Sequence, residues 1–309
     1  MEFETELING VILHHLKREK QLLMTVCANY GAKLTRLCFQ DQGTFTSVLW
    51  EPTLLEIKSG VWSKSEILFP FPNRLRDGRY EFDGKAYQFP IDEPINSNAI
   101  HGFVKNQPFE LKDTNIENDM AKITLQHDFN GELKHYPFPF SLIVTFEYNY
   151  TAKTLNTSFE VINTGESKMP FGLGWHPYFT FNKSLISKMK MCLPDLDLIE
   201  MDERQLPTGQ RNPYQTEILD FSKVTMDDAF HIISLNPNYS IADDQFKLDF
   251  VASHELKYLQ VFNPENGEGV AIEPMSCNVD VLNNGDNLVE LGSKEHWSAQ
   301  FKIAFTLAD

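Results

Sequence analysis

Strict alternation of apolar and polar residues near the C-terminal end constrains the fold of this chain more than any other sequence feature. Apolar side chains occupy every second position there: Trp297, Ala299, Phe301, Ile303, Phe305 and Leu307. Successive side chains of a strand point to opposite faces of the sheet. The pattern therefore predicts an antiparallel strand with one buried face and one polar face.

Further strand signals are spread along the chain. A run rich in Phe, Tyr, Val and Ile covers 140–150, and a second run covers 155–163 after a short polar turn. Asp83 and Gly84 separate two aromatic runs, which is a strong hairpin signal because glycine tolerates a positive φ. Helical periodicity is scarce, and the stretch 10–19 is short and ambiguous. The sequence predicts an all-β fold, a large antiparallel β-sandwich.

Other fold classes lack their signatures in this chain. Strands do not alternate with helices, no glycine-rich nucleotide-binding motif occurs, and no repeat of roughly 20 to 50 residues is found. Proline and glycine, 16 of each, are dispersed at turns and form no linker. A chain of about 300 residues buries roughly 75% of its unfolded surface in one fold. We therefore predict a single domain over residues 1–309.

Charge and composition limit the classes of binding partner and the cellular compartment that we expect for this chain. The chain has 27 Lys and Arg against 43 Asp and Glu, a net charge of -16, which repels phosphate backbones and anionic lipid head groups. No apolar run approaches the roughly 20 residues of a membrane helix, and the start lacks the order of a secretory signal. Four scattered cysteines indicate a reducing compartment. We expect a cytoplasmic protein that binds neither nucleic acid nor membrane.

Four segments place polar side chains in apolar or turn-rich surroundings. They are 69–75 with Arg74, 98–103 with His101, 171–179 with His176, and 269–275 with Glu273. A buried imidazole and a buried carboxyl group can exchange protons near neutral pH, because burial raises the pKa of a carboxyl group. Each residue taken alone also fits a structural role. The local patterns leave two interpretations open. These residues have structural roles, or they carry out acid–base chemistry on a small polar ligand.

Two further features bear on the kind of ligand. In the segment 171–179, aromatic rings including Trp175 surround the imidazole, and flat aromatic faces suit the C–H faces of a sugar, although such clusters also form cores. Metal motifs are missing: His14 and His15 are adjacent, and no H-E-x-x-H occurs. We predict no metal site.

The order of these residues resembles the aldose 1-epimerase (galactose mutarotase) family. The matching positions are Asn73-Arg74, His101-Gly102, His176-Pro177-Tyr178-Phe179, Asp227 before Phe230, and Glu273. The resemblance extends over about residues 20–305. It implies one aldose 1-epimerase-like domain with the galactose mutarotase-like supersandwich fold. Many relatives carry His where this chain has Asp228. The spacing to Phe230 favours Asp227 as the sugar ligand, and a shift by one residue leaves Asp228 as the alternative.

The resemblance also implies a reaction and a role for each residue. The protein would be a cofactor-independent isomerase that interconverts the α and β anomers of a free aldohexose. Glu273 would be the general base on the C1 hydroxyl and His176 the general acid on the ring oxygen, at opposite ends of one O–C–O unit. Arg74 and His101 would bind oxygens near the reacting centre, and Asp227 hydroxyls further round the ring. A neighbouring carboxylate would keep the imidazole protonated.

Two other functions remain open on the sequence alone. A hexose-6-phosphate 1-epimerase would need several cations converging on a phosphate, and no basic cluster is visible around Arg74 and Arg76. A non-catalytic carbohydrate-binding or sensing protein would keep the sugar contacts and lose the acid–base pair. We expect a small-molecule sugar as the partner and either a monomer or a homodimer.

Overall fold

The computed structural model describes residues 1–235, 237–265 and 267–308. Its strands are β1 (Glu2–Ile8), β2 (Val11–Arg18), β3 (Gln21–Cys27), β4 (Lys33–Asp41), β5 (Thr44–Ser47), β6 (Glu66–Leu68), β7 (Arg74–Arg76), β8 (Arg79–Phe82), β9 (Lys85–Gln88), β10 (Asn98–Ile100), β11 (Glu110–Ile116), β12 (Met120–Phe129), β13 (Phe140–Asn149), β14 (Thr154–Asn163), β15 (Met169–Phe171), β16 (Gly174–His176), β17 (Tyr178–Phe179), β18 (Lys190–Cys192), β19 (Leu196–Met201), β20 (Pro207–Tyr214), β21 (Ile218–Asp220), β22 (Asp227–Ile232), β23 (Asn238–Ala242), β24 (Phe246–Ala252), β25 (Tyr258–Phe262), β26 (Val270–Met275), β27 (Val289–Leu291) and β28 (His296–Leu307). The helices are α1 (Leu54–Ser59) and α2 (Val281–Asn284), and short 3₁₀ turns cover Val61–Ser63, Val104–Asn106 and Ile186–Lys188.

The largest sheet, which we call the long sheet, carries the C-terminal strand in its middle. Its strands follow the antiparallel order β11-β12-β13-β14-β28-β24-β23-β18-β21. In β28, Ala299, Phe301, Ile303 and Phe305 are buried and alternate with exposed or half-buried residues. The predicted runs 140–150 and 155–163 form the hairpin β13–β14. The prediction of an antiparallel all-β fold is confirmed.

A second large sheet, which we call the site sheet, packs against the long sheet. Its order is β20-β19-β22-β25-β26-β16-β6, with β17 also paired to β26. Aromatic side chains join the two sheets: the ring of Trp175 on β16 lies 6.3 Å from Phe159 and 5.9 Å from Phe301. Burying a large apolar side chain contributes about 1.5–3 kcal/mol. Truncating Trp175 to alanine would therefore cost roughly 3–5 kcal/mol.

A smaller sheet at the N-terminal end has the order β1-β2-β3-β4-β5. The ambiguous stretch 10–19 is strand β2, in which consecutive residues on both faces are buried, so no alternation was visible. His14 and His15 point to opposite sides and bind neighbouring strands through Nδ1, at 2.9 Å from Thr5 Oγ1 and 2.9 Å from Thr25 Oγ1. These histidines have structural roles.

The hairpin signal at Asp83 and Gly84 is confirmed. Strands β8 and β9 pair on either side of it, with Phe82 opposite Lys85. Both turn residues have positive φ, 49° at Asp83 and 70° at Gly84. A type I′ turn requires this conformation at both central positions, and its twist matches that of the flanking strands.

Cys27, Cys38 and Cys277 are buried, Cys192 is exposed, and all four thiols are free. No described helix is long and apolar enough to cross a membrane.

Candidate active site

Arg74 and His101 are brought together by the pairing of two short strands. Arg74 begins β7 and lies opposite Ile100 of β10, and His101 follows immediately. Asn73 and His101 share two hydrogen bonds: His101 N donates to Asn73 O at 2.8 Å, and Asn73 N donates to His101 Nδ1 at 3.2 Å. Because Nδ1 accepts, the neutral ring carries its proton on Nε2.

Gly102 is required by backbone packing at this place. Its φ is 62°, and a Cβ atom there would lie 2.1 Å from the carbonyl oxygen of Phe69. The glycine in the His-Gly pair therefore allows two chain segments to touch. Gly102 thereby holds the backbone that follows His101 against Phe69, which fixes the position of His101.

Glu273 and Asp227 stand on one face of the site sheet because of the strand register. Asp227 of β22 lies opposite Phe262 of β25, and Gln260 of β25 lies opposite Glu273 of β26. Side chains opposite each other across a ladder share a face. Asp228 therefore faces the other way, with Phe230, toward the core. Asp227 lines the cavity, and Asp228 lies on the opposite face of the same strand.

His176 comes from the end of β16, between β6 and β26. It lies opposite Glu66 of β6, and Gly174 lies opposite Met275 of β26. A Cβ atom at Gly174 would lie 2.8 Å from Pro72 Cβ, so this glycine serves close packing. Trp175 points the other way and is fully buried. The suggestion that this ring faces a sugar is therefore wrong.

The five residues predicted from the sequence all line one cavity of about 210 Å³. The lining side chains are Trp62, Ser63, Asn73, Arg74, Ile100, His101, His176, Tyr178, Asp227, Gln260, Phe262 and Glu273. Glu273 is 2% exposed and His176 6% exposed, so they form the floor, whereas Asp227 is exposed at the mouth.

The floor of the cavity holds a direct imidazole–carboxyl contact. His176 Nε2 lies 3.2 Å from Glu273 Oε1. The family resemblance led us to expect these groups at the two ends of a bound O–C–O unit, and the structure places them in direct contact. Tyr178 stacks on one face of the imidazole, with ring centroids 5.1 Å apart.

Burial governs the protonation of this pair. It raises the pKa of Glu273 well above its usual range; the negative charge of Asp227 raises that pKa further, and Arg74 opposes the effect. Burial also lowers the pKa of His176 to about 3. Burial thus opposes the expected effect of Glu273, which is to keep the imidazole protonated. Both groups prefer their neutral forms, because the interior disfavours a charge on either one. His101 is also neutral, since burial lowers its pKa.

A chain of directed hydrogen bonds links Arg74 to Asp227. Arg74 Nη1 donates to Asn73 Oδ1 at 3.3 Å, Asn73 Nδ2 donates to Gln260 Oε1 at 3.2 Å, and Gln260 Nε2 donates to Asp227 Oδ1 at 2.8 Å. A guanidinium only donates and a carboxylate only accepts, so both amides between them have a single orientation. Glu93 completes the arrangement by accepting from Arg74 Nε at 2.8 Å.

Sequence reasoning missed several of these residues. Gln260 and Glu93 act through partners far away in the chain, and Trp62 reaches the cavity from the turn after α1. No local sequence pattern identifies these three residues as part of a site. The spacing to Phe230 had favoured Asp227 in the sequence, and in β22 Asp228 shares its parity with the buried residues Phe230 and Ile232. No group of three or more His, Cys, Asp or Glu side chains that could hold a metal ion occurs in 1–235, 237–265 or 267–308.

The fold and site define a class of protein. A galactose mutarotase-like protein from Clostridium acetobutylicum has the same fold, with a TM-score of 0.88 at 22% identity over 99% of both chains. Galactose 1-epimerase from Lactobacillus acidophilus superposes with a TM-score of 0.78 at 14% identity, covering 100% of this chain and 99% of the other. The protein is thus an all-β sandwich with the galactose mutarotase-like fold.

Sequence comparison is more specific. The profile of the aldose 1-epimerase family matches residues 14–304. The uncharacterized protein YihR of Escherichia coli strain K12 is 27% identical over 281 residues, which cover 88% of this chain and 87% of YihR. The chain belongs to the aldose 1-epimerase family.

Proposed function

We propose that this protein is an aldose 1-epimerase, an isomerase that interconverts the α and β anomers of a free aldohexose. The observation that carries the proposal is the contact of 3.2 Å between His176 Nε2 and Glu273 Oε1 at the floor of a polar cavity. Opening a hemiacetal ring needs one proton removed from the C1 hydroxyl and one supplied to the ring oxygen. Both reacting oxygens are bonded to C1, so they lie closer together than the two protein atoms. A side-by-side pair can therefore reach both of them.

The proton balance of the reaction matches a pair that holds one proton. In ring opening, Glu273 accepts the proton of the C1 hydroxyl and His176 donates one to the ring oxygen. The bond between C1 and the ring oxygen breaks, and C1 becomes an aldehyde carbon. Rotation about C1–C2 then exposes the other carbonyl face. In ring closure, Glu273 returns its proton to the aldehyde oxygen and His176 takes back the hydroxyl proton, so the pair is regenerated.

Burial favours the protonation states that His176 and Glu273 reach when the sugar ring opens. The open aldehyde is the unstable form of the sugar. Ring opening converts a charged pair, imidazolium and carboxylate, into a neutral one, and burial favours the neutral forms of both groups. In the resting pair the proton lies on Glu273, so it first passes to His176 across the 3.2 Å contact, and ring opening then returns both groups to their neutral forms. General acid–base assistance contributes about 10²- to 10⁴-fold, and holding both groups beside one carbon adds an orientation effect.

The remaining lining residues suit a neutral, hydroxyl-rich ring. His101 offers a neutral Nε2–H donor, Arg74 a cationic donor and Asp227 an acceptor. A phosphorylated hexose fits less well, because Arg74 already binds Glu93 through Nε. Asp227 and Glu273 would also repel the dianion. We therefore propose a free sugar over a hexose 6-phosphate. A cytoplasmic location and the choice between monomer and homodimer remain predictions from the sequence.

The proposal is tested by the exchange rate of sugar anomers, measured by polarimetry and by exchange NMR with free glucose, free galactose and glucose 6-phosphate. We expect Glu273→Gln and His176→Asn each to lose at least about a hundredfold in rate while unfolding at a temperature close to that of the wild type. Asp228→Asn is the matched control, because Asp228 lies on the other face of the same strand.

Three results would count against the proposal. Unchanged rates in both variants would refute the assigned roles. Sugar binding by calorimetry without acceleration of anomer exchange would favour a non-catalytic binding protein. Faster exchange of glucose 6-phosphate than of free glucose would favour the phosphorylated substrate.

A further inference from the structure

Trp62 is a large aromatic residue that lies in the cavity wall and still leaves 43% of its surface exposed. Trp175 is 0% exposed by contrast. Scattered exposed apolar side chains are ordinary on a protein surface. Inside a cavity, the same exposed ring is apolar surface that a ligand can cover. The acid–base chemistry of His176 and Glu273 makes no use of it.

The backbone at Trp62 is held in a conformation that bulky residues rarely adopt. Its φ is 64°, and Ser63 and Ser65 have φ values of 49° and 57°. Such residues persist only where the surroundings hold them, and they cluster at binding sites. Ser63 N donates to Gly60 O at 3.1 Å, and Ser65 N donates to His176 O at 2.8 Å. The turn that carries Trp62 is thus bonded to the backbone of His176.

A series of aromatic contacts leads from His176 to Trp62. Tyr178 stacks on His176, Trp50 meets Tyr178 edge to face at 5.4 Å, and Trp62 packs on Trp50 at 6.0 Å. The ammonium group of Lys64 lies 3.7 Å from the centre of the Trp50 ring. Exposure rises from 2% at Tyr178 to 43% at Trp62. The series therefore runs from the floor of the cavity to its mouth.

The chemistry of a pyranose matches this arrangement. Its hydroxyls project mainly around the rim of the ring, and its two faces carry C–H groups. Arg74, His101 and Asp227 provide partners for hydroxyls, but none of them can cover a C–H face. A flat indole ring can, because it offers a large apolar area and loses little conformational freedom on binding.

We propose that Trp62 is a sugar-binding residue that stacks on a C–H face of the pyranose, at ring carbons remote from C1, and so orients C1 toward His176 and Glu273. The inference rests on the proposed function, since it needs a pyranose with C1 at the floor. It predicts that the ring of Trp62 strengthens substrate binding while leaving the chemical step nearly unchanged.

Two substitutions separate the ring from the backbone. Trp62→Gly removes the ring, and glycine adopts the observed positive φ without steric cost. Trp62→Phe keeps an aromatic face. We expect Trp62→Gly to raise KM for the aldohexose about tenfold with kcat within twofold of the wild type, and Trp62→Phe to retain most of the affinity. Thermal unfolding of each variant reports its folding.

Tryptophan fluorescence gives a readout that does not depend on turnover. The chain has four tryptophans. Sugar binding should change the emission of the wild type, and Trp62→Phe should remove most of that change. Trp297→Phe is the control, because Trp297 lies on β28 of the long sheet against Phe171. It should keep both the fluorescence change and the activity.

The outcomes distinguish the two proposals. If the wild type accelerates anomer exchange and Trp62→Gly keeps the wild-type KM, the role of Trp62 is refuted and the proposed function stands. A fall in kcat with unchanged KM, or a full fluorescence change in Trp62→Phe, also refutes stacking. If the wild type accelerates no anomer exchange, the proposed function fails, and this inference fails with it.

Discussion

The backbone N–H of Asn73 donates a hydrogen bond to Nδ1 of His101 at 3.2 Å, and the N–H of His101 returns one to the carbonyl oxygen of Asn73 at 2.8 Å. Both residues have positive φ, 57° and 64°. The first bond assigns the tautomer of His101, because an accepting Nδ1 leaves the proton on Nε2. A backbone amide therefore determines that this imidazole faces the cavity as a neutral donor.

Replacement of His101 by asparagine should remove that donor while preserving the backbone, because asparagine tolerates the left-handed region. Loss of one positioned donor lowers kcat by about 10²- to 10³-fold where it stabilises developing charge. We expect His101→Asn to lower kcat/KM for the aldohexose by about a hundredfold, measured by polarimetry. NMR of the imidazole nitrogens should show a neutral ring at pH 6.5, where a free imidazole is half protonated, in keeping with its lowered pKa. A ring that titrates near pH 6.5 would contradict this account.

The pH profile of kcat/KM should report the His176–Glu273 pair. The pair works with one proton, so activity falls when it gains a second proton or loses its last one. The second proton is taken up only near the lowered pKa of His176, about 3. The last proton leaves as the pH rises through the raised pKa of Glu273. We therefore expect sustained activity across mildly acidic pH, with no acid limb near 6.5.

Two substitutions should move the alkaline limb of that profile in opposite directions. Asp227 raises the pKa of Glu273 and Arg74 lowers it. Asp227→Asn should therefore shift the alkaline limb to lower pH, and Arg74→Met should shift it to higher pH. Both variants will also bind sugar less tightly, so the position of the limb is compared and not the absolute rate. Shifts in the same direction would refute this electrostatic picture.

Gln260 should act as a positioning residue for Asp227. Gln260→Leu keeps the volume but leaves Asn73 Nδ2 and Asp227 Oδ1 without their partner. We expect KM to rise about tenfold, because the variant loses a hydrogen bond to a charged group. The effect on kcat should be smaller. Gln260→Glu should be worse, because it cannot donate to Asp227 and adds a like charge. Steady-state kinetics test both, and an unchanged KM in Gln260→Leu would contradict the role.

A buried ion pair behind the site should control stability. Lys33 Nζ lies 3.0 Å from Glu66 Oε1, with 2% and 1% of the side chains exposed, and Glu66 is the strand partner of His176. Removing one partner of such a pair costs about 3–5 kcal/mol, because the other charge stays buried. We expect this loss for Lys33→Met in urea unfolding, and substantial recovery in the double variant Lys33→Met/Glu66→Met. A double variant as unstable as the single one would show that packing, and not the unpaired charge, causes the loss.

The sequence by itself determined the kind of structure. Alternation in 297–307 and the turn residues Asp83 and Gly84 act locally, since strand faces and turn dihedrals depend on neighbours in the chain. Local patterns did not predict strands that are buried on both faces. In β2, consecutive residues on both faces are buried, so apolar and polar residues do not alternate. The same limit explains Trp175, whose aromatic neighbourhood marks the core between two sheets and not a sugar surface.

Only the tertiary structure decided how the site is built. The order of Arg74, His101, His176, Asp227 and Glu273 pointed to a shared site through family resemblance, and no spacing rule could place them. Contact of His176 with Glu273 depends on the register of β16 and β26, and the entry of Trp62 depends on a turn bonded to the backbone of His176. The protonation of the pair likewise arises from desolvation, which exists only once distant segments exclude water. The periodicity of apolar residues is a local property of the chain, whereas proximity and burial are properties of the assembled sheets.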